Sequence, residues 1–150
     1  QQKRKGAQAV IALPPDWHQV DAPEDPEKEV LAHGPMTECG YAPTVVVRRL
    51  PYLKGGPEAG MAEMLEGGMR EDPTHRIIDV GEAVLAGYPA AVAVLTYCIE
   101  QKNLTQILYV TAPEELPSAY VLALIAATPD FGPMAGVFAD IVASFRPEGV

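Results

Sequence analysis

Nucleophilic catalysis needs a serine or cysteine held beside a base, and this sequence has few of either. Its serines are Ser118, which follows a proline in a loop, and Ser144, within a helical stretch; neither stands in a G-x-S-x-G turn, where strain exposes the hydroxyl. A cysteine nucleophile would be Cys39 or Cys98, with His18, His33 or His75 as its base. Cys98 falls inside an apolar run and is expected to be an inert buried thiol. Cys39 with His33 is the local pair that merits a test, although Glu38 beside it opposes the electropositive setting a thiolate requires. The same two cysteines permit one disulfide or two separate thiols, and pairing would require the loop carrying Cys39 to lie over the sheet.

Metal chemistry finds no C-x-x-C, H-x-x-x-H or H-E-x-x-H spacing. Asp21, Glu24, Asp25, Glu27 and Glu29 form an acidic run that would hold calcium loosely, or, with Pro23 and Pro26 interleaved, a solvated loop. The pairs Gly55-Gly56 and Gly67-Gly68 match neither a dinucleotide nor a P-loop fingerprint. The expectation is therefore a binding protein rather than an enzyme, with no metal and no cofactor.

Binding chemistry has better candidates. Trp17, Tyr52, Tyr88 and Tyr97 offer large contact area with a polar handle, and Arg48 and Arg49 are anion contacts in an acidic chain. Each also has a structural reading: Trp17 as a lid on the core, Tyr97 as a sheet residue, the arginines as guards of an edge strand. Met61, Met64, Leu65 and Met69 share one helical face, either as core or as an adaptable surface for an apolar ligand or a partner helix.

The elements that must position these residues follow from periodicity. Ala9 to Leu13 is a short strand stopped by Pro14-Pro15, and residues 22 to 28 are a loop. Glu29 to Met36 is a weak strand, and Thr44 to Leu50, β-branched and bounded by prolines, is a firm one. A helix runs from about Pro57 to Glu71, ended by Pro73. Arg76 to Val80, Glu82 to Ala86, Ala90 to Gln101, Leu104 to Ala112 and Ala119 to Thr128 read as strands, with a tight turn at Lys102-Asn103. Neither face of Ala90 to Ile99 is fully polar, so that strand is expected to be central and covered on both sides. Met134, Val137, Phe138, Ile141, Val142 and Phe145 form the clearest helical stripe in the chain. Hairpin-linked strands with only two helices predict an α+β fold, an antiparallel sheet with helices packed on it.

Composition agrees. The 150 residues are 48% hydrophobic and 21% charged, enough apolar material for one domain, expected over residues 9–150 behind a basic, unstructured tail at 1–8. A chain that opens on Gln1 reads as an excerpt or a processed product. Eleven bases against 20 acids leave a net charge of -9, which removes the attraction that drives nucleic-acid binding. The longest apolar run, near Ala119 to Ala127, is too short for a membrane-spanning helix.

The order of features resembles a known family. Ala12-Leu-Pro-Pro-Asp-Trp17, Pro43-Thr-Val-Val-Val-Arg-Arg-Leu50, the Met-rich helix, Arg76-Ile-Ile-Asp-Val80, Gly87-Tyr-Pro-Ala90, the hairpin with Gln101 and the ending Ile141-Val-Ala-Ser-Phe-Arg-Pro147 look like the LpqN/LpqT family of actinobacterial envelope lipoproteins. That family shares its fold with PsbP of photosystem II and the Ran-binding Mog protein of yeast, and the likeness spans residues 9 to 147. It implies an α/β/α sandwich, a binding or assembly role without catalytic residues, and a place in the cell envelope, with a lipid or glycolipid as the small ligand. The chain is also similar to the Eag chaperones, whose arginine-ended strand looks like Val47-Arg48; that likeness implies a cytoplasmic adaptor docking an apolar helix of a partner protein.

Overall fold

A computed structural model describes residues 9–21, 25, 27–51 and 54–147; the tail expected at 1–8 and Tyr52 lie outside the described residues. In chain order the elements are β1 (His18–Gln19), β2 (Lys28–His33), β3 (Thr44–Pro51), α1 (Gly56–Glu71), β4 (Arg76–Leu85), β5 (Tyr88–Ile99), β6 (Lys102–Thr111), β7 (Ser118–Ala127) and α2 (Thr128–Ser144). The strands form one antiparallel sheet in the order β1-β2-β3-β7-β6-β5-β4. α1 packs on one face over β5 and β6, and α2 packs on the other over β7 and β6, giving the expected α/β/α sandwich.

Strand alternation divides the core between the two faces. Ala91, Ala93, Leu95, Tyr97, Leu108, Val121 and Ala123 point to α1, where Met61 and Leu65 meet them. Val45, Val47, Tyr120, Leu122 and Leu124 point to α2, under Phe138, Ile141 and Phe145. The covered strand is β7, buried along nearly its whole length, between β3 and β6 in the sheet and under α2.

The chain departs from its sequence expectations in identifiable places. β5 is next to the sheet's edge, not central: its Ala91-to-Tyr97 side is buried but Val92, Val94 and Thr96 are only half-buried, since α2 reaches no farther than β6. The β5–β6 turn is Glu100-Gln101, both with positive φ (50° and 69°), so Lys102 and Asn103 already belong to β6. A two-residue hairpin with both central residues left-handed matches the twist of the strands, and here the strand register imposes it on residues that do not favour it. The two strands expected between Arg76 and Ala86 are one, carried past Gly81 by its ladder to β5. Ala9 to Leu13 contributes only a bridge between Val10 and Arg146, and Ala12 donates to Ser144 Oγ at 2.8 Å, so the segment follows the end of α2. α2 begins at Thr128, ahead of its apolar stripe, and accommodates Pro133 in its first turns.

Trp17 follows a turn closed by its own amide on the Pro14 carbonyl at 3.1 Å and is buried beside Gly34. A Cβ on Gly34 would sit 2.7 Å from Trp17 Cε2, closer than side-chain carbons approach. Gly34→Ala is therefore expected to displace the indole and cost about 1–3 kcal/mol. Trp17, the only tryptophan, reports this directly: an unchanged emission maximum and melting temperature would sink the prediction.

Candidate functional site

Strands lie about 4.8 Å apart and a helix with its side chains is about 10 Å across, so one helix covers about two strands. α1 takes β5 and β6, and β4 receives no cover on that face. The result is an apolar groove of about 440 Å³ between α1 and β4, floored by Ala91 and Gly81 and walled by Met61, Leu65 and Met69 on one side and Ile77 and Val80 on the other. Met69, Ile77 and Val80 are all more than a third exposed, and Glu58 and Glu66 stand at the lip. Of the Met stripe, Met61 and Leu65 are core, Met64 is half-buried, and Met69 lines the groove.

The turn at 72–75 sets the groove's width. α1 ends where the Asp72 amide donates to the Gly68 carbonyl at 2.9 Å. Thr74 donates its amide and hydroxyl to Asp72 Oδ1 at 2.9 and 2.7 Å and accepts from the Cys98 amide at 2.9 Å. Those bonds from Thr74, with the nearby His75, hold the Asp72 carboxyl below the usual carboxylate range. His75 stacks flat on Tyr97, ring centroids 4.7 Å apart, and its ring passes so near Gly68 that a Cβ there would meet it at 3.2 Å. Tyr97 donates to Gln106 Oε1 at 2.7 Å, and burial raises its phenol well above the ordinary tyrosine value. A short turn, a stacked ring and a glycine therefore pin the helix end to the sheet.

Of the six residues singled out from sequence, the five described are not gathered at one place. Trp17 lies on the α2 face and Tyr97 on the α1 face. Arg48 and Arg49 project to opposite faces: Arg48 meets Asp25 at 2.6 Å and keeps that carboxyl low, while Arg49 meets Glu29 at 3.2 Å and lies 5.7 Å from the Tyr120 ring centroid. Tyr88 is half-buried at the start of β5, opposite Leu85, and Tyr52 is outside the described residues. Glu29, expected in an acidic run that holds calcium loosely or is solvated, instead has a fully buried side chain that also accepts the Ala9 amide at 3.1 Å. A bulge between Lys28 and Val30 turns it inward, and alternation gives no sign of that.

The cysteines are separate thiols, both half-buried. Cys98 is less enclosed than expected because β5 lies near the sheet edge. Cys39 does not face His33, whose Nδ1 bonds Thr44 Oγ1 at 2.9 Å; its Sγ donates to Asp130 Oδ1 at 3.7 Å. Burial, then Asp130, push the Cys39 thiol up. Less thiolate at neutral pH means slower alkylation, so Cys39 is expected to react with iodoacetamide more slowly than a free cysteine and to speed up in Asp130→Asn. Equal rates in the two proteins would sink this. Among the described residues no group of three or more His, Cys, Asp or Glu side chains converges as a metal site, and no helix is long and apolar enough to cross a membrane.

No family model and no curated protein matches the sequence. Solved structures do. LpqN of Mycobacterium tuberculosis, described as involved in cell envelope biogenesis, is similar at 17% identity with a TM-score of 0.67, covering 96% of this chain and 87% of that one. Cyanobacterial PsbP from Synechocystis aligns at 12% identity and TM-score 0.65, over 95% of this chain and 92% of its own. The Ran-binding protein Mog1p of Saccharomyces cerevisiae aligns at 10% and 0.60, over 93% and 89%. The chain has the PsbP-like fold.

Proposed function

We propose that this protein is a non-catalytic binding protein of the bacterial cell envelope that holds an amphiphilic ligand, such as a neutral lipid or glycolipid, in the groove between α1 and β4. The observation that carries this is an apolar wall of methionine, leucine and β-branched side chains left open between α1 and β4. A volume of about 440 Å³ is in the range of small-molecule sites. Covering the half-exposed Met69, Ile77 and Val80 contributes only about 1 kcal/mol each, so useful affinity needs polar contacts at the lip as well. Glu58 and Glu66 supply acceptors there and disfavour an anionic headgroup; Arg70, 3.8 Å from Glu66 and exposed like it, offsets little of that charge. Likeness of fold to LpqN, a protein of envelope biogenesis, supports the location. On this reading Tyr97 serves the site by fixing the helix end, Trp17 and Arg49 by holding the opposite face of the sheet, and Arg48 by tying β3 to Asp25.

A second reading, an adaptor that docks an apolar helix of a partner protein, is favoured by the groove's openness along β4, where Val80 and Val84 are also exposed. Native mass spectrometry of protein purified from its own host separates them. A co-purifying lipid supports the first reading and a stoichiometric protein the second. An empty monomer that Met69→Glu leaves unchanged in its uptake of added lipid would overturn both.

A further inference from the structure

The sheet's two edges are built differently. β1 ends one side with two residues, whereas β4 ends the other with ten, all but its last three exposed without interruption. Natural edges are blunted by lysine, proline, bulges or a covering element. β4 contains no lysine and no proline, no helix packs on it, and its one bulge lies at Ile78, leaving an unbroken ladder to β5 from Asp79 to Leu85. Along that stretch the Val80 amide donates to Asp79 Oδ1 at 2.9 Å, a bond that an incoming strand must replace, and the edge is flanked by Ile78 (61% exposed), Val80 (54%) and Val84 (70%).

The charges on this edge say what it admits. Between Ile77 and Leu85 the strand carries Asp79 and Glu82 and no base, on a chain whose net charge is -9. A second copy pairing antiparallel with Asp79 opposite Glu82 would set the acids against each other and leave Arg76, the one base of the strand, opposite Leu85, so self-association in that register is opposed. Val80, Glu82 and Val84 stand opposite Ala93, Ala91 and Pro89 and share the α1 face, while Asp79 and Gly81 stand opposite Val94 and Val92 on the other. A complementary strand needs apolar residues across from Val80 and Val84 and basic ones across from Asp79 and Glu82.

We propose that β4 accepts, as an eighth antiparallel strand, a basic and β-branched segment of a partner protein, held by main-chain hydrogen bonds and selected by those two acids. This concerns the backbone edge rather than the groove beside it, and stands whether or not the groove holds a ligand. The probe is a blocked synthetic peptide, Val-Thr-Lys-Thr-Val-Lys-Val-Thr, added to the isotope-labelled full chain. Amide exchange along Asp79–Leu85 is expected to slow about tenfold or more, an effect that weakens with added salt. The same peptide with glutamate for lysine is expected to give no slowing, and Asp79→Lys with Glu82→Lys, two exposed changes, to abolish the response to the lysine peptide. Slowing confined to α1 would mean helix docking in the groove and would overturn strand addition. So would an equal response to both peptides, no response to either, or slowing that depends on protein concentration alone. None of these results bears on lipid uptake by the groove.

Discussion

Phe138→Ala is expected to destabilise the protein by about 3–5 kcal/mol. The ring is 3% exposed on the inner face of α2, edge-on to Phe131 with centroids 5.8 Å apart. A small apolar cleft of about 150 Å³, partly open to solvent, lies beside it, bounded by Ile107, Tyr109, Phe131 and Val142. Removing the ring widens that cleft and forfeits its contact with Phe131, a loss within the stated range. Against a total stability of about 5–15 kcal/mol for a domain, this is enough to populate the unfolded chain measurably. Urea titration checks it through the midpoint at unchanged slope. A near-neutral result would mean that the apolar stripe of α2 does not face the core.

Arg49→Met is expected to be the next most damaging single change, at about 3 kcal/mol. It leaves Glu29 fully buried with its guanidinium partner gone, while methionine keeps most of the contact with Tyr120. Arg49 itself is 24% exposed, so water softens the loss. The decisive comparison is a double-mutant cycle with Glu29→Gln. Removing the buried carboxylate as well is expected to recover about 1 kcal/mol or more of the damage. Additive losses would show that the two residues act independently, contrary to their 3.2 Å contact.

What was readable in the sequence depended on regular periods. The β-branched run of β3 and the i, i+3, i+4 stripe of α2 each bury one face, so the pattern and the structure coincide. Two helices among hairpin-linked strands were enough to give an antiparallel sheet with helices packed on it, and the sandwich itself is what the family resemblance implied. Irregular features were illegible for a physical reason: the bulges at Glu29 and Ile78 and the left-handed pair Glu100-Gln101 are forced by register, not by local preference. The groove was half legible. Met61, Leu65 and Met69 announced an apolar face, but no pattern in a strand's own residues says that its sheet outruns the helix above it. The aromatic and arginine candidates rest on residue type, which carries no information about which face of a sheet each occupies.

The strand order has a consequence for how the chain comes to be folded. β1 to β3 form one meander and β4 to β7 another, each joining strands adjacent in sequence. The seam between them is β3 against β7, where Thr44 pairs with Ile125 and Pro51 with Ser118. Closing so long a loop is slow compared with forming a hairpin. During synthesis, at about 5–20 residues per second, β3 is made seconds before β7 exists. For that interval Thr44-Val-Val-Val47 presents an open apolar edge with no native partner, and it is in this nascent state, rather than in the finished sandwich, that the protein is most exposed to aggregation.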